Sequence, residues 1–194
     1  MSYYDIDAIL TDAEKLPCTF QIDVPDLGYL DNAPTQTLRA GAKVALPLWL
    51  AEMLAVANDD QGKSFVNFDL PRALGNDVIQ ALKADPRAVP LRDQSAHFFG
   101  LATRMMDLLA EEQELGSVLR KTFVTRATEI ALHARKVGGG GKAAGGDDGA
   151  SNLGVGGAGE EFLRGLDETE RKLFRKAHEG AKAAKEWMEN VKKH

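Results

Sequence analysis

The sequence predicts an α+β, mainly α fold, in which a small N-terminal β-rich module precedes a helical bundle of about five helices. Apolar and polar residues alternate between Cys18 and Val24, which is the period of a half-buried strand. From residue 46 onward apolar residues instead recur at spacings of three and four, as in amphipathic helices. The hydrophobic fraction of 44% is typical of a globular protein. We therefore predict a small β-rich domain over residues 1–45 and a helical domain over residues 46–194.

The N-terminal module carries the signals of one short helix and several short strands. Asp5 is placed to cap a helix that runs through Leu10. Gly41 marks a turn before a later strand at residues 43–46. The apolar face of the first strand consists of Cys18, Phe20, Ile22 and Val24. A module of this size is too small to be stable alone, so we expect it to pack against another element.

Five helices are predicted in the second domain from apolar periodicity and end signals. The first has Pro47 at its first helical position, where the missing N–H is tolerated, and the second starts at Pro71. The third, over about residues 94–111, is apolar around half of its circumference and is expected to be the central helix. The fifth starts at Asp167, with Glu170 three residues later as in a capping box. The apolar residues of the fourth are Leu115, Leu119, Phe123, Ala127, Ile130, Ala134 and Val137.

A glycine-rich segment at residues 138–159 interrupts the helical domain. Glycine loses the most conformational entropy on ordering, so we interpret this segment as a flexible loop inside the domain. Residues 154–159 match the dinucleotide-binding pattern G-x-G-x-x-G. That pattern requires a buried strand directly before it, and residues 147–152 (DDGASN) are not one. A nucleotide-dependent enzyme therefore stays a weak alternative, which tight binding of NAD or ATP would favour.

Charge and cysteine content exclude several classes of function. The net charge is −5, and residues 1–34 carry seven acids and one lysine, a net −6. This acidity disfavours autonomous binding to duplex DNA. A single cysteine, Cys18, cannot form an intramolecular disulfide, which favours a reducing compartment. The sequence has neither a recognisable signal peptide nor an apolar run long enough to span a bilayer, so we expect a soluble intracellular protein with no membrane partner.

We predict no catalytic residue, no cofactor-binding residue and no metal ligand. The histidines have no Cys, His or carboxylate partner at a recognisable metal spacing; they are His97, His133, His178 and His194. For His133 and His178 we expect a solvated helix face. Cys18 lies on the apolar face of its strand and is interpreted as a small buried hydrophobe.

Large apolar side chains on the first and last helices are instead candidates for a partner interface. They are Trp49, Phe174, Trp187 and Met188. The same residue types dominate protein cores, so the sequence leaves core and interface open for each. An interaction protein fits these extensive apolar faces better than an enzyme does. A free-standing helical adaptor with an unrelated partner remains the alternative.

Several motifs, in the right order, resemble the subunit-three (Psf-three) type of the GINS family. The most specific is GAKVALPLWLA at residues 41–51. The others are DIDAIL at residues 5–10, EKLP at 14–17, ADP at 84–86, HFFG at 97–100 and LDETERKLF at 166–174. The resemblance covers nearly the whole chain except the glycine-rich loop.

The resemblance implies a subunit of a nuclear assembly rather than an enzyme. GINS proteins combine a helical domain with a small β domain, which comes first in this type. Four different subunits form an obligate heterotetramer, so the expected partners are the three other GINS subunits. The tetramer joins the MCM ring and a cell-division-cycle partner, and together they form the replicative helicase for initiation and elongation of DNA replication. The ATPase sites belong to the MCM ring, and no direct sequence-specific DNA binding is expected of this chain.

Overall fold

The computed structural model describes residues 4–31, 36–58, 62–109, 113–138 and 157–192. A small antiparallel sheet lies near the N-terminus and helices follow it, so the predicted fold class, α+β and mainly α, is confirmed. In chain order the described elements are α1 (Ile6–Asp12), β1 (Lys15–Phe20), β2 (Lys43–Pro47), α2 (Leu48–Val56), β3 (Val66–Phe68), α3 (Asn76–Ala84), α4 (Leu91–Gln94), α5 (Phe98–Leu108), α6 (Gln113–Gly138), α7 (Gly157–Arg164) and α8 (Glu168–Val191). Short 3-10 turns occupy Gly28–Asp31 and Arg72–Leu74.

The chain divides into two compact units. Unit 1 consists of Met1–Asn76 and Gly100–Glu111, and unit 2 consists of Asp77–Phe99 and Glu112–His194. The sheet belongs to unit 1, whereas α6, α7 and α8 belong to unit 2. The predicted boundary between residues 45 and 46 remains a prediction.

The sheet of unit 1 has the strand order β2–β1–β3, and both pairings are antiparallel. Strand β1 begins at Lys15 and ends at Phe20. The observed strand therefore starts before the alternation predicted from Cys18 to Val24 and also ends before it. The buried side chains of the sheet are Leu16, Cys18, Phe20, Leu46 and Val66. The predicted turn at Gly41 has φ +89°, which glycine adopts without steric cost.

Helix α2 follows β2 directly, with Pro47 as its N-cap rather than its first helical residue. Its buried side chains are Leu48 and Ala51, while Trp49 is 49% exposed. Periodicity alone located the helix but not the face that it buries, because apolar residues occur all around it. The short helix predicted behind Asp5 is confirmed, and the Asp5 side chain accepts a hydrogen bond from the Asp7 N–H.

The third predicted helix is shorter than expected. Ser95 has extended backbone angles (φ −158°, ψ 141°), so the short helix α4 ends before it and α5 begins at Phe98. The Ser95 hydroxyl accepts a hydrogen bond from the His97 N–H at 3.1 Å, which stabilises this break. Half of the broad apolar arc is buried within the chain, at Phe98, Leu101, Ala102 and Met105, whereas Phe99, Met106 and Leu108 are half-buried.

The buried row of α6 in unit 2 agrees with the predicted apolar row at both ends of the row and differs from it in the middle. It passes through Thr122 and Arg126, which are fully buried, whereas Phe123 is exposed and Ala127 is half-buried. The full buried row is Leu115, Val118, Leu119, Thr122, Arg126, Ile130 and Ala134. The prediction is confirmed at Leu115, Leu119, Ile130 and Ala134 and is wrong at Phe123 and Ala127, because a buried arginine has the polarity of a surface residue and hides the middle of the row.

Most of the glycine-rich segment predicted as a loop over residues 138–159 lies outside the described residues. Its two ends are helical, because α6 continues through Gly138 and α7 begins at Gly157. Of the G-x-G-x-x-G match, the last three residues therefore belong to the first turn of α7, and the first three lie outside the described residues.

Replacing either of two glycines of unit 2 by alanine is expected to change the free energy of unfolding in opposite directions. A Cβ at Gly165 would lie 2.9 Å from Cα of Pro90, which is backbone and cannot move easily. Gly165→Ala is therefore expected to lower the free energy of unfolding by about 1–3 kcal/mol. Gly180 lies inside α8 with open space around a Cβ, so Gly180→Ala should raise it by about 0.8–1 kcal/mol. Urea unfolding of the two variants measures both effects, and a shift of the same sign in both would contradict the prediction.

Candidate subunit interface

The interior of unit 2 contains an ion pair that the sequence analysis missed. The Arg126 side chain is 1% exposed and that of Glu170 is 0% exposed. Nε and Nη2 of Arg126 donate to the two carboxylate oxygens of Glu170 at 2.7 and 2.9 Å. Nη1 donates to the carbonyl oxygens of Pro86 and Val89 at 2.8 and 2.9 Å. This bidentate pair joins α6 to α8, and its remaining donors also hold the turn before α4.

The start of α8 is fixed by the predicted capping box. The Glu170 N–H donates to Oδ1 of Asp167 at 2.8 Å, and the Asp167 N–H donates to the Glu170 carboxylate at 3.2 Å. The other Asp167 oxygen accepts from the Phe99 N–H at 3.1 Å. Burial raises the pKa of Asp167 to about 6, and the negative charge of Glu170 acts in the same direction. The two backbone N–H donors and the Arg126 charge offset this pKa shift only in part.

This raised pKa predicts that the stability of unit 2 depends on pH. Folded Asp167 keeps its proton up to about pH 6, whereas the ordinary pKa is 3.8, so between these values the folded state binds more protons. The free energy of unfolding should therefore fall as pH rises from about 4 to about 6, by at most about 3 kcal/mol. Asp167→Asn should abolish this part of the decline and add a pH-independent loss, because asparagine has one oxygen for two N–H donors. Urea unfolding of both proteins across this range is the measurement, and parallel pH profiles would contradict the prediction.

Helices α6 and α8 run parallel, and two contacts fix their register. Arg126 meets Glu170, and the carbonyl oxygen of Ala134 lies 3.3 Å from Nδ1 of His178. Both contacts join residues that are 44 positions apart. In this register the last residue of α6, Gly138, is level with position 182 of α8.

The C-terminal part of α8 therefore extends beyond the end of α6. Residues 183–191 continue for about nine residues, or about 14 Å at 1.5 Å per residue. Each residue from 182 to 192 is exposed. Among them Trp187 is 68% exposed, Met188 51% and Val191 55%. Such a row of large apolar side chains on a protruding helix is typical of a surface that a partner covers.

Met188 and Val191 of the exposed apolar row continue the stripe that packs α8 within unit 2. One row of apolar positions along α8 is spaced alternately by three and four residues, as in the seam of a coiled coil, and Trp187 lies next to this row. The row consists of Phe174, Ala177, Ala181, Ala184, Met188 and Val191. The first three are half-buried and the last three are exposed, so one seam is covered at its start and uncovered at its end.

A second exposed apolar row lies on α2 in unit 1. Trp49, Met53 and Val56 follow each other at spacings of four and three residues, on the face opposite Leu48 and Ala51. Each of these three side chains is about half exposed or more. The row therefore has the helical spacing of a helix-binding face.

The four residues predicted as interface candidates thus fall into two groups. Trp49, Trp187 and Met188 are exposed, so none of them belongs to the core of the described chain. Phe174 is half-buried, and its ring stacks on that of His178 with 6.3 Å between the ring centroids. Their role in an interface stays a prediction. Sequence analysis missed the exposed α1 residues Ile6, Ile9 and Leu10, because a short apolar helix gives no signal of which face it exposes.

The candidate chemical residues have structural surroundings. Burial raises the pKa of the Cys18 thiol, which keeps it protonated and poorly nucleophilic. The rings of His133 and Phe162 have their centroids 5.7 Å apart. His133 and His178 are both half-buried, so the solvated helix face predicted for them is wrong. His97 is half-buried, and His194 lies outside the described residues. Within the described ranges no three His, Cys, Asp or Glu side chains cluster so that they could hold a metal ion. In the same ranges, none of the helices combines the length and apolar character that crossing a membrane requires.

Comparison with known proteins identifies the family. Residues 4–56 match the PSF3 N-terminal domain, and residues 73–189 match the GINS complex protein helical bundle domain. The chain is 72% identical to the DNA replication complex GINS protein psf3 of Neurospora crassa, over 100% of both chains. The chain belongs to the Psf3 family of GINS proteins. Psf3-family relatives from Gibberella zeae and Saccharomyces cerevisiae are 58% and 36% identical, and each match covers at least 97% of both chains. The Psf3 N-terminal match contains α1, β1, β2 and α2, and the helical bundle match contains both partners of the buried ion pair.

Proposed function

We propose that this chain is a non-catalytic structural subunit of a GINS heterotetramer that acts in DNA replication in the nucleus. Its direct partners are the three other GINS subunits. Through the tetramer it joins the MCM ring and a cell-division-cycle partner in the replicative helicase, during initiation and elongation. The chain itself contributes surfaces rather than chemistry, with no cofactor and no direct sequence-specific contact with DNA.

The uncovered end of α8 is the observation that carries this proposal. Trp187, Met188 and Val191 protrude past the end of α6, on a helix whose start is fixed by the capping box and the buried ion pair. A helix from a sibling subunit would continue the seam that α6 begins and would bury these side chains. Obligate interfaces resemble a domain core cut in half, which fits an apolar seam of this kind.

The exposed row of α2 supports a second sibling contact. Trp49, Met53 and Val56 are apolar and share one face. The apolar arc of α5 offers less surface, because Phe98, Leu101 and Met105 are buried within the chain. The surfaces proposed for assembly are therefore the end of α8 and the outer face of α2.

Co-expression with the three other GINS subunits, followed by sizing of the purified complex, tests this proposal. We expect one complex with a single copy of each subunit. A chain that is monomeric, cooperatively folded and free of aggregation, and that forms no complex with these subunits, would contradict it. That result would favour the free-standing adaptor.

A further inference from the structure

Helix α6 carries a second row of side chains on the face opposite its buried row. The row follows spacings of three and four residues and consists of Lys121, Val124, Thr128, Leu132 and Arg135. Each of the five side chains is exposed; Val124 is 57% exposed and Leu132 is 50% exposed. A helix with apolar side chains on both of its faces ordinarily has a neighbour on each. In the described part of unit 2 only one face of α6 is covered.

The middle of this outer row is apolar and its two ends are cationic. The Thr128 hydroxyl donates to the carbonyl oxygen of Thr125 at 2.6 Å, so it is turned back to its own helix and leaves the methyl group to the outer face. Lys121 stands three residues before the apolar middle and Arg135 stands three residues after it. The two cations are therefore about 21 Å apart along the helix axis at 1.5 Å per residue.

Charge restricts what can cover the row. Both acids of α6 are already paired, Glu114 with Lys83 at 2.6 Å and Glu129 with Arg87 at 2.8 Å. The two cations of the row have no ion-pair partner within the described ranges, and a third exposed cation, Arg120, stands beside them. A partner with a carboxylate near each end of the row would neutralise this charge, whereas a second copy would bring the same cations against each other.

The apolar middle of the row favours a protein partner over nucleic acid. Duplex DNA carries one negative charge per about 1.7 Å of its axis, so a surface that binds DNA presents cations along its length. Here the space between the two cations is occupied by Val124, Thr128 and Leu132 instead. An apolar segment between two cations is complementary to an amphipathic helix that has an acidic residue near each end of its apolar stripe.

We propose that the row from Lys121 to Arg135 receives such an acidic amphipathic helix from a sibling subunit. The proposal rests on the GINS heterotetramer proposed above, and it adds a third subunit contact to the end of α8 and the outer face of α2. The tetramer offers three siblings for these three surfaces. A permanent neighbour fits the row better than a visiting one, because its apolar middle would be exposed whenever a visitor left.

Titration of full-length variants into the three other subunits, followed by light scattering, tests the proposal. The double substitution Lys121→Glu, Arg135→Glu should weaken assembly at least about tenfold, because like charges would then face each other across the contact. This loss should shrink as the salt concentration rises, since salt screens the repulsion. The double substitution Val124→Ser, Leu132→Ser should also weaken assembly at least about tenfold, but to a similar extent at each salt concentration.

A charge reversal elsewhere on unit 2 provides the matched control. Lys176 of α8 is exposed and lies outside the three proposed surfaces, so Lys176→Glu should leave assembly close to that of the natural chain. Glutamate, lysine and arginine have similar helix propensities, so circular dichroism should show unchanged helicity in each glutamate variant. In the natural tetramer a carbodiimide, which joins an amine to a carboxylate, should link Lys121 to an aspartate or glutamate of a sibling.

Three results would overturn the proposal. If the natural chain assembles and the Lys121→Glu, Arg135→Glu variant assembles equally well, this inference fails while the proposed function stands. A natural chain that forms no complex with the siblings would overturn both. Binding of a short DNA duplex by the tetramer that the two glutamate changes abolish, without weakening assembly, would show that the row is a nucleic-acid surface instead.

Discussion

Glu170→Leu is expected to lower the free energy of unfolding by about 3–5 kcal/mol. The substitution leaves the Arg126 guanidinium buried without its counter-charge, and only the carbonyl oxygens of Pro86 and Val89 remain as acceptors. Removing one partner of a buried pair costs far more than the pair contributes, because an unpaired charge stays in a medium of low polarity. Urea unfolding of the full-length chain, followed by far-UV circular dichroism, measures the loss.

Two further variants show whether the lost pair is responsible. Glu168 lies on the same turn of α8 as Glu170, but its partners Arg92 and Arg175 are partly exposed. Glu168→Ala should therefore lower the free energy of unfolding by at most about 1 kcal/mol. The double substitution Arg126→Met, Glu170→Leu removes both charges and should recover much of the stability lost in Glu170→Leu. A double variant as unstable as the single one would mean that packing, not charge, accounts for the effect.

Trp187→Ala is expected to weaken assembly with the other GINS subunits by about 2 kcal/mol or more, roughly 30-fold in dissociation constant. The side chain is mostly exposed in this chain, so its removal should leave helicity and solubility of the chain unchanged. Met188→Ala should add to the effect, because both side chains lie on the protruding end of α8. Titration of the chain variants into the remaining subunits, followed by light scattering, gives the affinities.

A matched variant on the same helix end provides the control. Lys185→Ala changes an exposed charged residue between the apolar positions without lowering helix propensity, and assembly should stay close to that of the natural chain. Phe174→Ala should behave differently from Trp187→Ala, because Phe174 is half-buried and stacks on His178, so part of its cost falls on folding. Unchanged assembly after Trp187→Ala and Met188→Ala together would show that this end of α8 is not the subunit contact.

Local signals predicted the features whose causes are local. The capping box at Asp167 and Glu170 follows from two residues three positions apart, and the helix behind Asp5 follows from one capping side chain. Gly41 sits in a turn with positive φ, as its residue type indicates. The family resemblance was equally direct, since it rests on contiguous motifs in order.

The faces of the helices could not be predicted in the same way. Periodicity gives the spacing of a stripe but not the environment that each stripe meets, so Trp49 is exposed while its neighbour Leu48 is buried. Arg126 becomes buried only because Glu170, 44 positions away, supplies its counter-charge. Ser95 ends a helix through its own hydroxyl, which competes with a helical hydrogen bond that the sequence allowed equally well. The first two outcomes depend on tertiary contacts, and the third depends on a local competition between two hydrogen bonds.

The parallel pairing of α6 and α8 sets an order of events during synthesis. The chain emerges from its N-terminus, so α6 is complete while the residues that pair with it have yet to be made. Arg126 then has no counter-charge, and closing its contact with Glu170 requires an excursion of 44 positions. Unit 2 can therefore reach its native packing only after α8 has been made. Residues 183–191, the part of α8 that is made last, are also those proposed to receive a sibling helix, so completion of the fold and recruitment of a partner lie next to each other in time.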